Sequence, residues 1–565
     1  MSFLPVAVLF FAATLQTNVA NVTTVYERDY ASRLVPMLSE VLRFPTTQFD
    51  TQGHADQKAW IAKTAHDLGF TYRDAGPVDE VELPGPPGAP VLGLMVHGDV
   101  QPVDADAWSV ATFSGVADEK YVYGRGSADD KGPLVQALLA MKALAQSGVA
   151  RTHTVRLLIG TDEESNNLDV TTYLKTHQAP DYTLVLDSNF PVVVGEKAWN
   201  SLSLTTDPTS ERPGVTKPYS VFFIDAGLGT SIVPDRAEVK LRWKGAAEEG
   251  LEVSQSRGLA VGDAAGNAAT GQLGNSETAQ PRDRATATSN PETTQPRDPA
   301  TANRDHAPVN WEPLMAAINA APRPADTRVA MQPTGDTLWI VTYGHSAHAG
   351  VNLEGGRNAL VALARVLDGK LPSGGADDLL AFVRTAGADL YGTGLGITDR
   401  DPLWGRYAVN IATIKPNADN PKQSTLTINI RRIPPRTGPE LKTKMEQFVA
   451  AFNKRTGASL TATGFYGDEP LAFDANAKLV RRLLADYALA TGTKDPRPAI
   501  SGGGTYAKRL PNSIAFGMWF PDKPYPGHDV DEKNPITDLQ KGTKVLIQAL
   551  VDIATGERVV GAFGR

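Results

Sequence analysis

Three apolar runs near the start of the chain each end in acid or histidine. Residues 91–96 run into His97, Gly98 and Asp99; residues 154–160 run into "TDEES", with Glu163 and Glu164; residues 182–186 run into Asp187. A strand has a side-chain period of two, so His97 and Asp99 point to one face. A strand leaving the core for solvent would also end in polar residues, and one such run decides nothing. Three of them together point to a site, because open α/β sheets carry their sites beyond the carboxyl ends of the strands. His97, Glu163, Glu164 and Asp187 then share one crevice. Between the first two runs lies "GRGSADDKG" (124–132), which sets Asp129 and Asp130 just before a helix. So many carboxylates in one cleft repel one another unless a cation holds them. A pair of divalent metal ions meets that need. Imidazole and carboxylate without thiolate suit zinc, with manganese or cobalt as alternatives.

The elements that must position these groups alternate. "PLVQALLAMKALAQSG" (133–148) has Pro133 at its start, Leu134, Leu138, Met141 and Ala145 on one face, and Gly148 as a stop. Strand, helix, strand predicts a parallel sheet covered by helices. From about 310 to 465 helices and strands are mixed. The last hundred residues return to a helix (479–491), a short strand and a closing helix (538–555). Residues 249–308 differ: they are rich in Ala, Thr, Gly, Asn and Pro, and "ETAQPRDRATA" from Glu277 returns as "ETTQPRDPATA" from Glu292. Neither copy has an apolar face to bury, so the stretch reads as a disordered, low-complexity insertion in a loop.

At 565 residues the chain is too long for one core. With 41% hydrophobic and 21% charged residues it reads as globular, and a net charge of -8 argues against a nucleic-acid partner. The absence of cysteine excludes disulfides, thiolate metal sites and a cysteine nucleophile. Residues 1–20 read as a signal peptide: an apolar stretch from about Phe3 to Leu15, then Asn18-Val19-Ala20 as a cleavage site. No Lys or Arg precedes Arg28, so the basic flank is missing. The expectation is a periplasmic or secreted protein with no membrane span after processing; a cytoplasmic location is the alternative.

"HGDV" (97–100), "GRGSADDKG", "TDEES", "LDSNFPVVVGEK" (186–197), "GHSAHAG" (344–350) and "GGGTYAK" with "PGH" (526–528) occur in this order. The set resembles the M20 family of dinuclear metallopeptidases, most of all its branch of PepV-type dipeptidases and carnosinases. The resemblance implies an α/β fold: a phosphorylase/hydrolase-like catalytic domain, a mixed sheet covered by helices, over 23–200 plus 466–565. An α+β lid would be inserted at 201–465. It implies two divalent ions held by His97, Asp129, Glu164, Asp187 and His528, with Asp129 bridging and often followed by a cis peptide. Asp99 would hydrogen-bond His97 and fix its tautomer, and Glu163 would be the general base. His348 would donate to the oxyanion, Arg431 would grip the substrate carboxylate with Arg432 as a competitor, and Gly503 and Gly504 would cradle it. His345 would be structural. The long lid implies a monomer acting on a small dipeptide.

Two departures stand out. Relatives carry asparagine where "TSIVPD" (230–235) has Ser231, and "PGHDVDEKN" is a loose version of the last motif. Other M20 enzymes deacylate or desuccinylate amino acids with the same metal set, so that activity is the alternative. A peptide-binding protein on an inactive scaffold is a third reading, which an intact Glu163 opposes. A phosphate site at "GGGT" lacks the GK[ST] continuation.

Overall fold

The computed structural model describes residues 4–165, 167–213, 216–244 and 309–558, with side chains from Ala13 onward. The expected insertion at 249–308 lies outside the described residues. A six-stranded sheet forms the first unit, in the order Thr71–Asp74, Val78–Leu83, Thr154–Gly160, Val91–His97, Tyr182–Val185, Ser513–Ala515. The last four are mutually parallel, and Val78–Leu83 runs antiparallel to both of its neighbours, so the sheet is mixed.

Alternation fixes its two faces. Leu92, Leu94 and Val96 join Val155, Leu157 and Ile159 in the larger core, under the helices Lys131–Gln146 and Ile536–Thr555. Met95, Leu158 and Val185 point the other way, to Val170, Tyr173 and Tyr506. Each fully buried aliphatic side chain contributes roughly 1.5–3 kcal/mol. Three of them along Val91–His97 exceed thermal energy several-fold, so His97 ends a firmly anchored strand.

A second sheet of eight antiparallel strands spans Ala198 to Gly467. Its order is Arg328–Thr334, Thr337–Tyr343, Arg236–Trp243, Tyr219–Ala226, Ala408–Pro416, Ser424–Arg432, Ala198–Thr206, Thr461–Gly467. In chain order its first strand, Ala198–Thr206, and its last, Thr461–Gly467, contain the expected lid limits of 201 and 465. The helices Ala359–Val366, Gly375–Ala386 and Gly438–Thr456 bury their apolar sides against this sheet. The last begins with a reciprocal Thr437–Glu440 capping box and ends at Gly457, whose φ of 72° suits glycine. Both connections between the units pass a small sheet of Leu471–Ala472, Val193–Glu196 and Ala499–Ser501.

The chain starts in a helix, Leu4–Val25, that runs through the expected cleavage point after Ala20. Beyond that point Val22, Tyr26 and Tyr30 are buried in the main core. Among the described residues no helix is long and apolar enough to cross a membrane.

Candidate active site

The sheet delivers His97 from the end of its strand, and the turns after Gly160 and Val185 deliver Glu163, Glu164 and Asp187. Asp129 arrives from the loop before the helix Lys131–Gln146, with the Asp129–Asp130 peptide cis. His528 comes from the far end of the chain, at a φ of 65° that few non-glycine residues adopt. These residues meet in two groups, His97–Asp129–Asp187 and Asp129–Glu164–His528, whose ligand atoms lie within 4.8 Å of one another. His97 Nε2 is 2.9 Å from one oxygen of Asp129, and His528 Nε2 is 3.2 Å from the other. Glu164 Oε1 lies 2.8 Å from His528 Nε2, and Asp187 Oδ2 lies 3.9 Å from His97 Nε2.

Asp99, expected from the resemblance to hydrogen-bond His97, meets it through its backbone. The Asp99 main-chain oxygen lies 3.0 Å from His97 Nδ1, while its carboxylate is 3.5 Å away. That carboxylate instead accepts the N–H groups of Glu163 and Glu164, at 3.2 and 2.8 Å. The Asp99 carbonyl thus meets the imidazole while its side chain reaches across to the turn after Gly160.

Further buried groups at the site carry no motif. Tyr525 donates to Asp129 Oδ2 at 2.6 Å, and Gln101 donates to Glu164 Oε2 at 2.9 Å. Glu532 accepts from the N–H of Ala128 at 2.8 Å and of Asp129 at 3.3 Å, and takes a 2.7 Å bond from Arg125. No pattern in the sequence singles them out.

The electrostatics suit a bound cation. Burial pushes the Glu163 and Asp187 carboxyls well above the usual range; Asp187 adds to it for Glu163, and Asp129 and Asp130 for Asp187. Burial opposes charge on His97, yet Asp129 and Asp99 outweigh it and raise the imidazole. Protons on the histidines thus stand where a metal would neutralise the acids. The donor set of two imidazoles, carboxylates and one shared carboxylate fits a divalent pair.

The lid closes the cleft. His348 lines it with Asp129, Glu163, Glu164, Asp187 and His528 of its own chain. Its ring centre is 4.5 Å from that of His528. His348 Nδ1 accepts two backbone N–H groups, from Gly350 at 3.0 Å and Val351 at 2.8 Å. Burial, with His528 and Arg431, lowers its pKa well below the usual value. The ring is therefore neutral, with its proton on Nε2. His345 instead faces Asp529 at 3.3 Å, half exposed, outside this group.

Arg431 and Arg432 separate cleanly. Arg432 is tied down by Asn200, the Arg436 and Asp468 carbonyls and Glu469. Among the described residues Arg431 bonds only neutral oxygens, Asn429 Oδ1 and Ser231 Oγ, both at 3.1 Å. Burial lowers it to about 10, so it stays cationic. Gly503 N–H is taken by Ser501 Oγ at 3.0 Å. Among the described residues Gly504 N–H meets no acceptor, and Gly504 lines the cleft. A Cβ on Gly502 would lie 1.8 Å from the Gly350 carbonyl, so lid and loop meet backbone to backbone.

Fold and site define a hydrolase of the metallopeptidase class. The profile of peptidase family M20/M25/M40 matches residues 93–552, and the chain belongs to that family. It is 27% identical over 469 residues to "Putative dipeptidase YtjP" of Bacillus subtilis (strain 168), covering 83% of this chain and 84% of that one. Among solved structures it resembles the di-peptidase Dug1p of Saccharomyces cerevisiae, at TM-score 0.54 and 14% identity, over 94% of this chain and 98% of the other. It also resembles human carnosine dipeptidase 1, at TM-score 0.52 and 14% identity, over 96% and 98%. At such identity these two likenesses speak for the fold alone.

Proposed function

We propose that this protein is a dipeptidase that hydrolyses the peptide bond of short free peptides, with two divalent cations and Glu163 as general base. One cation would be held by His97, Asp129 and Asp187, the other by Asp129, Glu164 and His528; zinc suits these donors best. When bound, such a pair polarises a carbonyl and lowers the pKa of water. Glu163 takes the proton of the attacking water and returns it to the leaving amine. Among the described residues its carboxylate makes no imidazole contact such as the one that ties Glu164 to His528, which leaves it for proton transfer. His348 Nε2–H donates to the developing oxyanion. Arg431 and the Gly504 N–H bind the terminal carboxylate.

The observation that carries this reading is His348: a neutral donor from the lid, in the same cleft as both acid–histidine groups. A lid closed this far admits a short substrate. The names of the relatives favour a dipeptide over an acyl-amino acid. The same reading makes the protein a monomer, because His348 completes the cleft of its own chain; export is proposed separately, on the apolar stretch from Phe3 to Leu15 and the Asn18-Val19-Ala20 that follows it. The test is a panel of dipeptides beside N-acetyl- and N-succinyl-amino acids, with zinc-, manganese- and cobalt-loaded protein. Higher kcat/KM on the dipeptides is expected; equal or higher values on the acyl compounds would overturn the reading.

A further inference from the structure

Asp169 and Tyr506 lie outside the catalytic set, yet both are buried beside it. Asp169 Oδ2 accepts the N–H of Thr161 at 2.8 Å and of Asp162 at 3.1 Å, and also the Tyr506 hydroxyl. Its other oxygen takes the Val170 N–H at 2.7 Å. Asp162 is the neighbour of Glu163. Tyr506 sits two residues past Gly504, and Thr505 between them is clamped by Glu196, through its N–H at 3.0 Å and its hydroxyl at 2.8 Å. Space has been cleared for this contact: a Cβ on Gly160 would lie 2.0 Å from the Tyr506 hydroxyl and 2.6 Å from Asp169 Oδ2. Burial, then the nearby Asp169, hold the phenol well above its ordinary pKa, so it stays a donor.

We propose that Tyr506 and Asp169 form a strut fixing the Gly503–Thr505 loop against the turn that carries Glu163, so that turnover depends on a substrate carboxylate seated on that loop. They are positioning residues. The strut leaves a single residue between Gly504 and Tyr506, and none between Asp162 and Glu163. A carboxylate that settles Gly504 therefore settles the base, and a substrate lacking it leaves the loop free to shift. Near-attack geometry is sensitive to such shifts, with ~1 Å costing up to ~100-fold in rate.

The inference rests on the proposed carboxylate recognition, and the experiment separates the two. Two substrate pairs are used with the zinc-loaded full chain: alanyl-alanine with its amide, and N-acetyl-alanine with its amide. The pair that is turned over decides between dipeptidase and deacylase, and either pair reads the strut. Wild type should show a high ratio of kcat for the free acid to kcat for the amide. Tyr506→Phe should lower that ratio by roughly tenfold, the scale of one lost hydrogen bond in the transition state, with the thermal midpoint close to wild type. Gly160→Ala, which pushes the hydroxyl away, should lower it too. A ratio unchanged in Tyr506→Phe, whether both rates fall together or neither does, overturns the strut. Turnover of neither pair by wild type overturns both the strut and the proposed function.

Discussion

Glu532 has no role in the chemistry, yet its loss should be among the costliest single changes near the site. It is fully buried, and its two oxygens take the Ala128 and Asp129 N–H groups and Arg125 Nη1. Arg125 is 4% exposed, and among the described residues its buried Nε has no hydrogen-bond partner. Glu532→Ala would leave that guanidinium, among the described residues, with the Trp108 ring 5.5 Å away as compensation. Breaking a buried pair from one side costs about 3–5 kcal/mol, and two orphaned N–H groups add about 1–3 kcal/mol each. Partial relaxation of the loop offsets some of this, so a loss of at least ~3 kcal/mol is expected in urea unfolding of chelator-treated protein. Glu532→Gln keeps an acceptor for the N–H groups but turns an amide on Arg125, and should fall between. Arg125→Met combined with Glu532→Leu removes both charges, and should cost well under the sum of the single changes. Zinc affinity should also drop in Glu532→Ala, because Asp129 loses its backbone anchor. A loss below ~1 kcal/mol, or additive single and double variants, would refute the argument.

Glu163→Gln should retain metal near the wild-type content and lose ~100-fold or more in kcat, the scale of general-base removal. Glu164→Gln should instead lose metal, measured by elemental analysis after gel filtration; the reverse pattern would exchange their roles. His348→Ala should lower kcat by ~100–1,000-fold, as loss of an oxyanion donor does, while leaving zinc content intact. Mixing it with Glu163→Gln protein should restore no activity, since a monomer cannot combine two half-sites. N-terminal sequencing of the secreted protein should find Asn21 first, with Val22 and Tyr26 still buried in the core; an intact Met1 in the exported form would contradict the processing.

Much of the site is legible in the sequence because a sheet's geometry is local. His97, Glu163, Glu164 and Asp187 announce themselves as polar ends of apolar strands, and the parallel order of those strands brings them together. His528 is legible only by resemblance, since nothing local says that a loop so late in the chain returns to the first sheet. Glu532 and Tyr525 are not legible, because their partners lie 404 and 396 residues away and their bonds go partly to backbone. Asp99 shows a finer limit: periodicity gives its face but not whether its carbonyl or its carboxylate meets His97. Arg431 and Arg432 sit side by side in one strand, and only the acceptors supplied by Asp468, Glu469 and Arg436 show which one is already committed. The mixed nature of the first sheet follows from Val78–Leu83, an acid-bearing strand paired antiparallel on both sides, whose "VDEVEL" reads as surface until its pairing is seen.

The central claim is that two acid–histidine groups sharing Asp129 hold two ions needed for turnover. It is tested most directly by titrating zinc into chelator-treated protein while following bound metal and dipeptide hydrolysis together. The account predicts no turnover without metal, activity that saturates at two ions per chain, and loss of both ions in Asp129→Ala. Turnover by metal-free protein, or full activity at one ion per chain, would contradict it.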